Sequence, residues 1–258
     1  SLLGPERPLG IDRAAALFNV KLKREAVEEL VGLADHFRKT GDTQGATMVV
    51  DLFQIFGKDA WAFLLARHIT EGDDPDDLER RPYYWRVWRH AFPTPFEEEV
   101  RSASSANQID PYLVYSVMRT ESLFRPESVS PVGARGLMQV MPATGRRIAR
   151  AKGVRYKRTA LNDPLTSLDF GTHYLRQMSE RYAGAVEQVL AAYNAGPPRV
   201  DAWTAMRGEQ PPEEFIESIP FSETRNYVMI VLANREQYRR LYGFPRSAPV
   251  PAVEGARP

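Results

Sequence analysis

The sequence contains no cysteine. That excludes a disulfide framework, a thiolate nucleophile and any cysteine-ligated zinc or iron–sulfur site. It leaves the compartment open, because a chain of 258 residues can bury enough core to stand without covalent staples. Neither sign of charge is in excess: 34 Lys and Arg face 33 Asp and Glu, a net charge of +1. No global field is available for holding a polyphosphate, which argues against nucleic acid as a partner. No apolar run reaches the ~18 residues that a membrane-spanning helix requires. There is neither a P-loop nor a GxSxG elbow, and His36, His68, His90 and His173 stand apart with no HExxH-type pair, so no metal and no cofactor is expected. Asp73-Asp74-Pro75-Asp76-Asp77 is too broken by its proline for a calcium loop and reads as an acidic helix start. The opening Ser1-Leu2-Leu3-Gly4-Pro5 lacks an initiator Met and the basic-then-apolar pattern of a signal peptide. A processed protein and a piece of a longer one would both begin this way.

What is present is an ordinary globular balance, 43% hydrophobic and 26% charged residues, arranged mostly with helical periodicity. In Arg24–Lys39, Val27, Leu30, Val31 and Ala34 recur at the spacing of one helix face. Asp42 can cap a second helix through Met48, Val49, Leu52 and Phe53, a third covers Ala60–Ile69, and a fourth Tyr83–Ala91. Short helices on short turns predict stacked hairpins. Phe92-Pro93-Thr94-Pro95 is the strongest internal break, since two prolines so close cannot continue a helix, and a domain boundary is placed there. Residues 1–93 therefore read as one helical segment, residues 94–244 as a second domain, and the proline-rich residues 245–258 as a flexible tail. Within the second domain Asp110-Pro111 and Asp163-Pro164 pair an N-cap with proline at the first helical position. Between Phe124 and Met141 the helical stripe disappears, and Ser130-Pro131-Val132-Gly133 with Gly136 predicts turns and a small hairpin.

Chemistry concentrates in that second domain. On the helix from Pro111, Val114, Val117 and Met118 define an apolar face whose next position is Glu121. Burial there disfavours the charged form and raises the carboxyl pKa, as a general acid working near neutrality requires. A glutamate snorkelling to water from a helix end fits the same pattern. Val186, Val189 and Leu190 lead in the same way to Tyr193, beside Asn194, where a core tyrosine with a satisfied hydroxyl is the alternative. Gly196 suits a left-handed helix end there, and Pro197-Pro198 bars continuation. A further helix opens at Ser222 with Glu223 in its first turn, where a carboxylate is favoured by the helix dipole alone.

Glu121-Ser122, Gly133-Ala134-Arg135-Gly136-Leu137-Met138-Gln139-Val140-Met141-Pro142, Ala192-Tyr193-Asn194-Ala195-Gly196-Pro197 and Pro220-Phe221-Ser222-Glu223-Thr224-Arg225-Asn226-Tyr227-Val228 together resemble the catalytic domain of the soluble lytic transglycosylases. These are goose-lysozyme-like enzymes that cleave peptidoglycan. The resemblance covers about Pro93 to Tyr242, and the preceding helices are more weakly similar to the end of the α-superhelical region of such enzymes. It implies a mostly α protein, a lysozyme-like catalytic domain preceded by a superhelix-like segment. It implies Glu121 as the single catalytic acid/base. Ser122, Gln139, Met141, Tyr193, Asn194, Glu223 and Tyr227 would then form the substrate-binding set. Peptidoglycan glycan strands would be the partner and the periplasm or cell envelope the location. Thr120 stands where the family often has a longer polar residue.

No Asp or Glu occurs between Glu127 and Asp163, while Arg135, Arg146, Arg147, Arg150, Lys152, Arg155, Lys157 and Arg158 fall in that interval. This is either a solvated basic face or an attraction for the carboxylates of peptidoglycan peptides. The interval also offers no second carboxylate to activate a water, as ordinary glycosidases do. The implied reaction cleaves the β-1,4 bond between N-acetylmuramic acid and N-acetylglucosamine and forms 1,6-anhydromuramyl ends. A hydrolytic muramidase using Glu223 as base, and a non-catalytic glycan-binding scaffold of the same fold, remain open alternatives.

Overall fold

The computed structural model describes residues 9–70, 84–208 and 210–243. The acidic run Asp73–Asp77 and the proline-rich residues 245–258 lie outside the described residues. The described residues form thirteen α-helices and a short 3-10 helix. The chain divides into two compact units, Ser1–Pro93 and Thr94–Pro258.

The first unit contains α1 (Leu9–Asn19), α2 (Lys23–Thr40), α3 (Thr43–Ile55), α4 (Asp59–Ile69) and α5 (Tyr84–Ala91). Each helix packs on its sequence neighbour, and α3 also meets α5. This is the hairpin stacking that short periodic segments on tight turns dictate. Asp42 caps α3 by accepting from the Gly45 amide at 2.9 Å. The buried stripe of α2 runs Ala26, Leu30, Ala34, Phe37, whereas Val31 is exposed, a rotation away from the face the sequence suggested. The reason is α1, which sequence periodicity did not single out: Ile11 and Ala14 are buried, and α1 packs on α2.

The second unit contains α6 (Glu97–Asn107), α7 (Pro111–Ser122), α8 (Pro142–Ala151), the 3-10 helix Arg158–Asn162, α9 (Pro164–Arg181), α10 (Val186–Ala195), α11 (Pro197–Arg207), α12 (Pro212–Ser218) and α13 (Ser222–Tyr242). Helix α13 packs against α7 and α10, and α9 packs against α6 and α10. Asp110 both caps α7, accepting from the Tyr112 amide at 3.0 Å, and pairs with Arg235 and Arg239 of α13 at 2.8 and 3.0 Å. One carboxylate thus ends one helix and clamps another. Asp163 caps α9 through the Thr166 amide at 2.9 Å. Gly196 has φ +90 and ψ 144, a positive-φ conformation that suits glycine but lies outside the left-handed helical region, and Pro197 opens α11 immediately. The two prolines start a helix here instead of ending the pattern, because the first helical position needs no amide proton.

Between α7 and α8 the expected hairpin is reduced to two isolated bridges, Val129–Arg135 and Arg135–Val140. Its tightest point is Gly136, at φ +78, where a β-carbon would come within 1.8 Å of the Leu161 carbonyl oxygen. Only glycine lets the loop lie this close to the 3-10 helix. The closeness buries Leu137 and Met138 completely, and the Met138 amide donates to the Ser167 hydroxyl at 3.2 Å.

Candidate active site

Glu121 lies in the last turn of α7, whose Val114, Val117 and Met118 are fully buried. Its side chain keeps some contact with solvent, yet the surrounding protein is dense enough for loss of hydration to govern its acidity. Burial pushes the carboxyl up to about 7, the Tyr227 hydroxyl opposes that shift, and the Glu223 charge adds to it. The carboxyl is therefore partly protonated at neutral pH, a state available for proton donation.

Two tyrosines flank it. Tyr193 of α10 donates to the Met138 carbonyl at 2.7 Å and packs on Tyr174, ring centroids 5.3 Å apart. Tyr227 of α13 is 7% exposed, and its hydroxyl meets no partner at hydrogen-bonding geometry among the described residues. It is still near enough to Glu121 to favour the ionised carboxyl. Burial raises both phenols well above their ordinary value, and the Glu121 charge raises them further. Both stay neutral, able to donate but not to serve as bases.

The remaining expected residues divide by role. Gln139 and Glu121 line one cavity of about 380 Å³. The Gln139 amide donates to the Ser128 and Gly136 carbonyls at 3.1 and 2.9 Å, which fixes it across the loop. Ser122 is 3% exposed, with its hydroxyl between the Met118 and Leu137 carbonyl oxygens at 3.0 and 2.8 Å. It ties α7 to the loop and presents nothing to the cavity. Asn194 accepts from Thr224 at 2.8 Å and joins α10 to α13. Met141 is 41% exposed and Glu223 is exposed; neither lines the cavity. Thr120 donates to the Ser116 carbonyl at 2.9 Å within its own helix.

Arg125 and Glu127, which sequence reasoning passed over, also line the cavity, with Ser128, Val129 and Ser130. The available signal was proximity. Leu123 and Phe124 both adopt positive φ, +50 and +61, so the chain reverses directly after α7 and returns its next residues to the acid. Gln139 also has positive φ, +48. Non-glycine residues in this region cost roughly 1–2 kcal/mol each, and such strain tends to sit where a site must be shaped. Among the described residues no group of three or more His, Asp or Glu side chains could hold a metal ion.

Residues 98–216 match the family described as Transglycosylase SLT domain, and residues 218–246 match the Soluble lytic transglycosylase helical domain. The second match falls on α13, not on the first unit. The soluble lytic murein transglycosylase of Escherichia coli K12 is 37% identical over 164 residues, 61% of this chain and 25% of its own. The membrane-bound lytic murein transglycosylase C of Sodalis glossinidius is 32% identical over 164 residues, 55% of this chain and 46% of its own. The chain thus spans about a quarter of the length of the soluble relatives it matches. Among solved structures, an inactive glutamate-to-glutamine mutant of lytic transglycosylase Slt from Pseudomonas aeruginosa superposes with TM-score 0.64 at 25% identity, over 95% of this chain and 37% of that one. The 70 kDa soluble lytic transglycosylase of E. coli gives 0.58 at 26% identity, over 91% of this chain and 46% of that one. Residues 98–216 are thus matched by the transglycosylase SLT domain, and the chain is homologous to the soluble lytic murein transglycosylases.

Proposed function

We propose that this protein is a lytic transglycosylase that cleaves the β-1,4 bond between N-acetylmuramic acid and N-acetylglucosamine in peptidoglycan. The observation that carries the reading is Glu121, a carboxyl held at about 7 by burial and opening into a 380 Å³ cavity. Protonated Glu121 gives its proton to the bridging oxygen as the anomeric carbon–oxygen bond breaks. The muramyl N-acetyl group stabilises the positive charge left on the ring. Glu121, now a carboxylate, takes the proton of the muramyl 6-hydroxyl as that oxygen bonds to the anomeric carbon. A 1,6-anhydro end results and the acid is restored. Because the 6-hydroxyl is tethered to the reacting ring, its attack is intramolecular and entropically favoured over that of a free water. Tyr227, neutral and close to the acid, tempers its rise in pKa, and Tyr193 stands beside it with its hydroxyl held by the Met138 carbonyl. An enzyme that acts on murein is expected in the periplasm or cell envelope, where that substrate lies. No helix among the described residues is long and apolar enough to cross a membrane.

A hydrolytic muramidase is the second reading, and one observation favours it: Glu127 lines the same cavity as Glu121. The acid-free interval of the sequence stops just short of that residue. Of the other carboxylates, Glu223 is the one whose charge acts on Glu121, so both are candidate bases for a water. Glu121→Gln tests either reading, since an amide keeps the shape but cannot deliver a proton. Digestion of purified sacculi is expected to fall at least ~10²–10⁴-fold while strands still bind. Digestion at a near wild-type rate would remove Glu121 from the mechanism.

A further inference from the structure

The basic interval is not uniformly solvated. Helix α8 packs against the 3-10 helix Arg158–Asn162, and between them the Tyr156 ring lies on Gly145, so close that a β-carbon there would come within 2.9 Å of it. Arg146 follows that glycine on α8, and Arg158 opens the 3-10 helix. From the other side Arg135 donates to Asn162, the last residue of that 3-10 helix, at 3.0 Å. The charges of all three guanidinium groups reach the one phenol. Two polar atoms in this cluster are buried and have no partner among the described residues, the Tyr156 hydroxyl and Arg135 Nε. Burial pushes the Tyr156 hydroxyl up, while the charges of Arg146, Arg135 and Arg158 act against that shift.

Arg146 and Arg158 are exposed and make no ion pair or side-chain hydrogen bond among the described residues. Asp163 is engaged in capping α9, and Asp169 pairs with Lys152 at 2.6 Å. Like charges gathered around unsatisfied donors are the arrangement an oxygen anion completes, because guanidinium forks match its geometry. Arg135 belongs to the same loop as Gln139, which lines the Glu121 cavity. The anionic groups carried beside a glycan in that cavity are the carboxylates of its peptides.

We propose that Arg135, Arg146, Arg158 and the Tyr156 hydroxyl form an oxyanion site, separate from the Glu121 centre, that binds a carboxylate of the peptide attached to the glycan. This assignment of the ligand rests on the peptidoglycan reading above. In Glu121→Gln protein, which holds strands without cutting them, strands bearing peptides are expected to bind about tenfold or more tightly than strands stripped of peptides by an amidase. Arg146→Ala with Arg158→Ala, both at exposed positions, should abolish that preference and leave stripped strands bound as before, with circular dichroism unchanged. Equal binding of the two strand types, or a preference that survives the double substitution, overturns the proposal. Inorganic phosphate supplies an arm independent of glycan. Titrated into the wild-type protein, it should shift the NMR signals of Arg135 Nε–H and the Tyr156 ring, and the double variant should lose the response. If Glu121→Gln binds no strand at all, the peptidoglycan reading fails, and the phosphate titration alone decides the anion site. A response lost in the double variant supports the site, and none in the wild type overturns it.

Discussion

At the scale of single residues, a carboxyl poised near neutrality carries a stability cost. In the unfolded chain Glu121 ionises near its ordinary 4.5, and in the folded chain near 7. Between those values the unfolded chain has released a proton that the folded chain keeps, so stability falls as pH rises from about 4.5 to about 7 and is level beyond. Glu121→Gln removes the titration. The variant should match the wild type near pH 4 and exceed it above pH 7 by roughly 1–3 kcal/mol, several degrees in Tm. A difference independent of pH would show that the carboxyl is not perturbed. The neighbours predict shifts of opposite sign in the pH profile of turnover. Tyr227→Phe deletes the group that lowers the Glu121 pKa, so the alkaline limb moves to higher pH. Glu223→Gln deletes a charge that raises it, so the limb moves to lower pH. Glu121 was legible in the sequence because an apolar helical face points at it. Glu127 was not, because its return to the cavity depends on two backbone torsions, at Leu123 and Phe124, that no side-chain pattern announces. The buried support given by Ser122 was hidden for a related reason: its acceptor, the Leu137 carbonyl, comes from a distant loop.

Among the elements, the loop that carries Gln139 depends on one close approach. Gly136→Ala pushes a methyl group into the Leu161 carbonyl at a positive φ, and should cost at least about 3 kcal/mol. Gly133 also has positive φ, +90, but nothing lies within 4 Å of its missing β-carbon. Gly133→Ala should therefore cost only about 1 kcal/mol. Thermal melts of the two variants side by side separate the clash from the torsion, and equal losses would contradict the packing described. Asp110→Ala loses the α7 cap and both arginine partners on α13, for about 1–3 kcal/mol, whereas Asp110→Asn should keep the cap and recover part of the loss. The caps at Asp42, Asp110 and Asp163 could be read from the sequence, since capping is a local matter of one side chain and nearby amides. The orientation of α2 could not. Val31 belongs to the apolar spacing yet faces outward, because α1 and α3 choose which side of the helix is covered.

For the whole molecule, the two compact units divide at Pro93 and Thr94, within the proline pair that breaks the helical pattern. We expect a fragment beginning at Phe92 to remain helical, to melt cooperatively and to retain activity. Loss of its circular dichroism signal would mean that the second unit does not fold alone. The helical class follows from periodicity along much of the chain, whereas the packing of α7, α10 and α13 around the acid brings together residues as much as a hundred positions apart and leaves no local trace. What those helices enclose decides between attack by a tethered hydroxyl and attack by water, and digestion of purified sacculi in ¹⁸O-labelled water, followed by mass spectrometry of the released fragments, separates the two. The account predicts 1,6-anhydromuramyl ends, lighter by one water than hydrolytic products and free of label. Label at the muramyl anomeric carbon of freshly released fragments would contradict it and establish a muramidase, with Glu127 or Glu223 as its base.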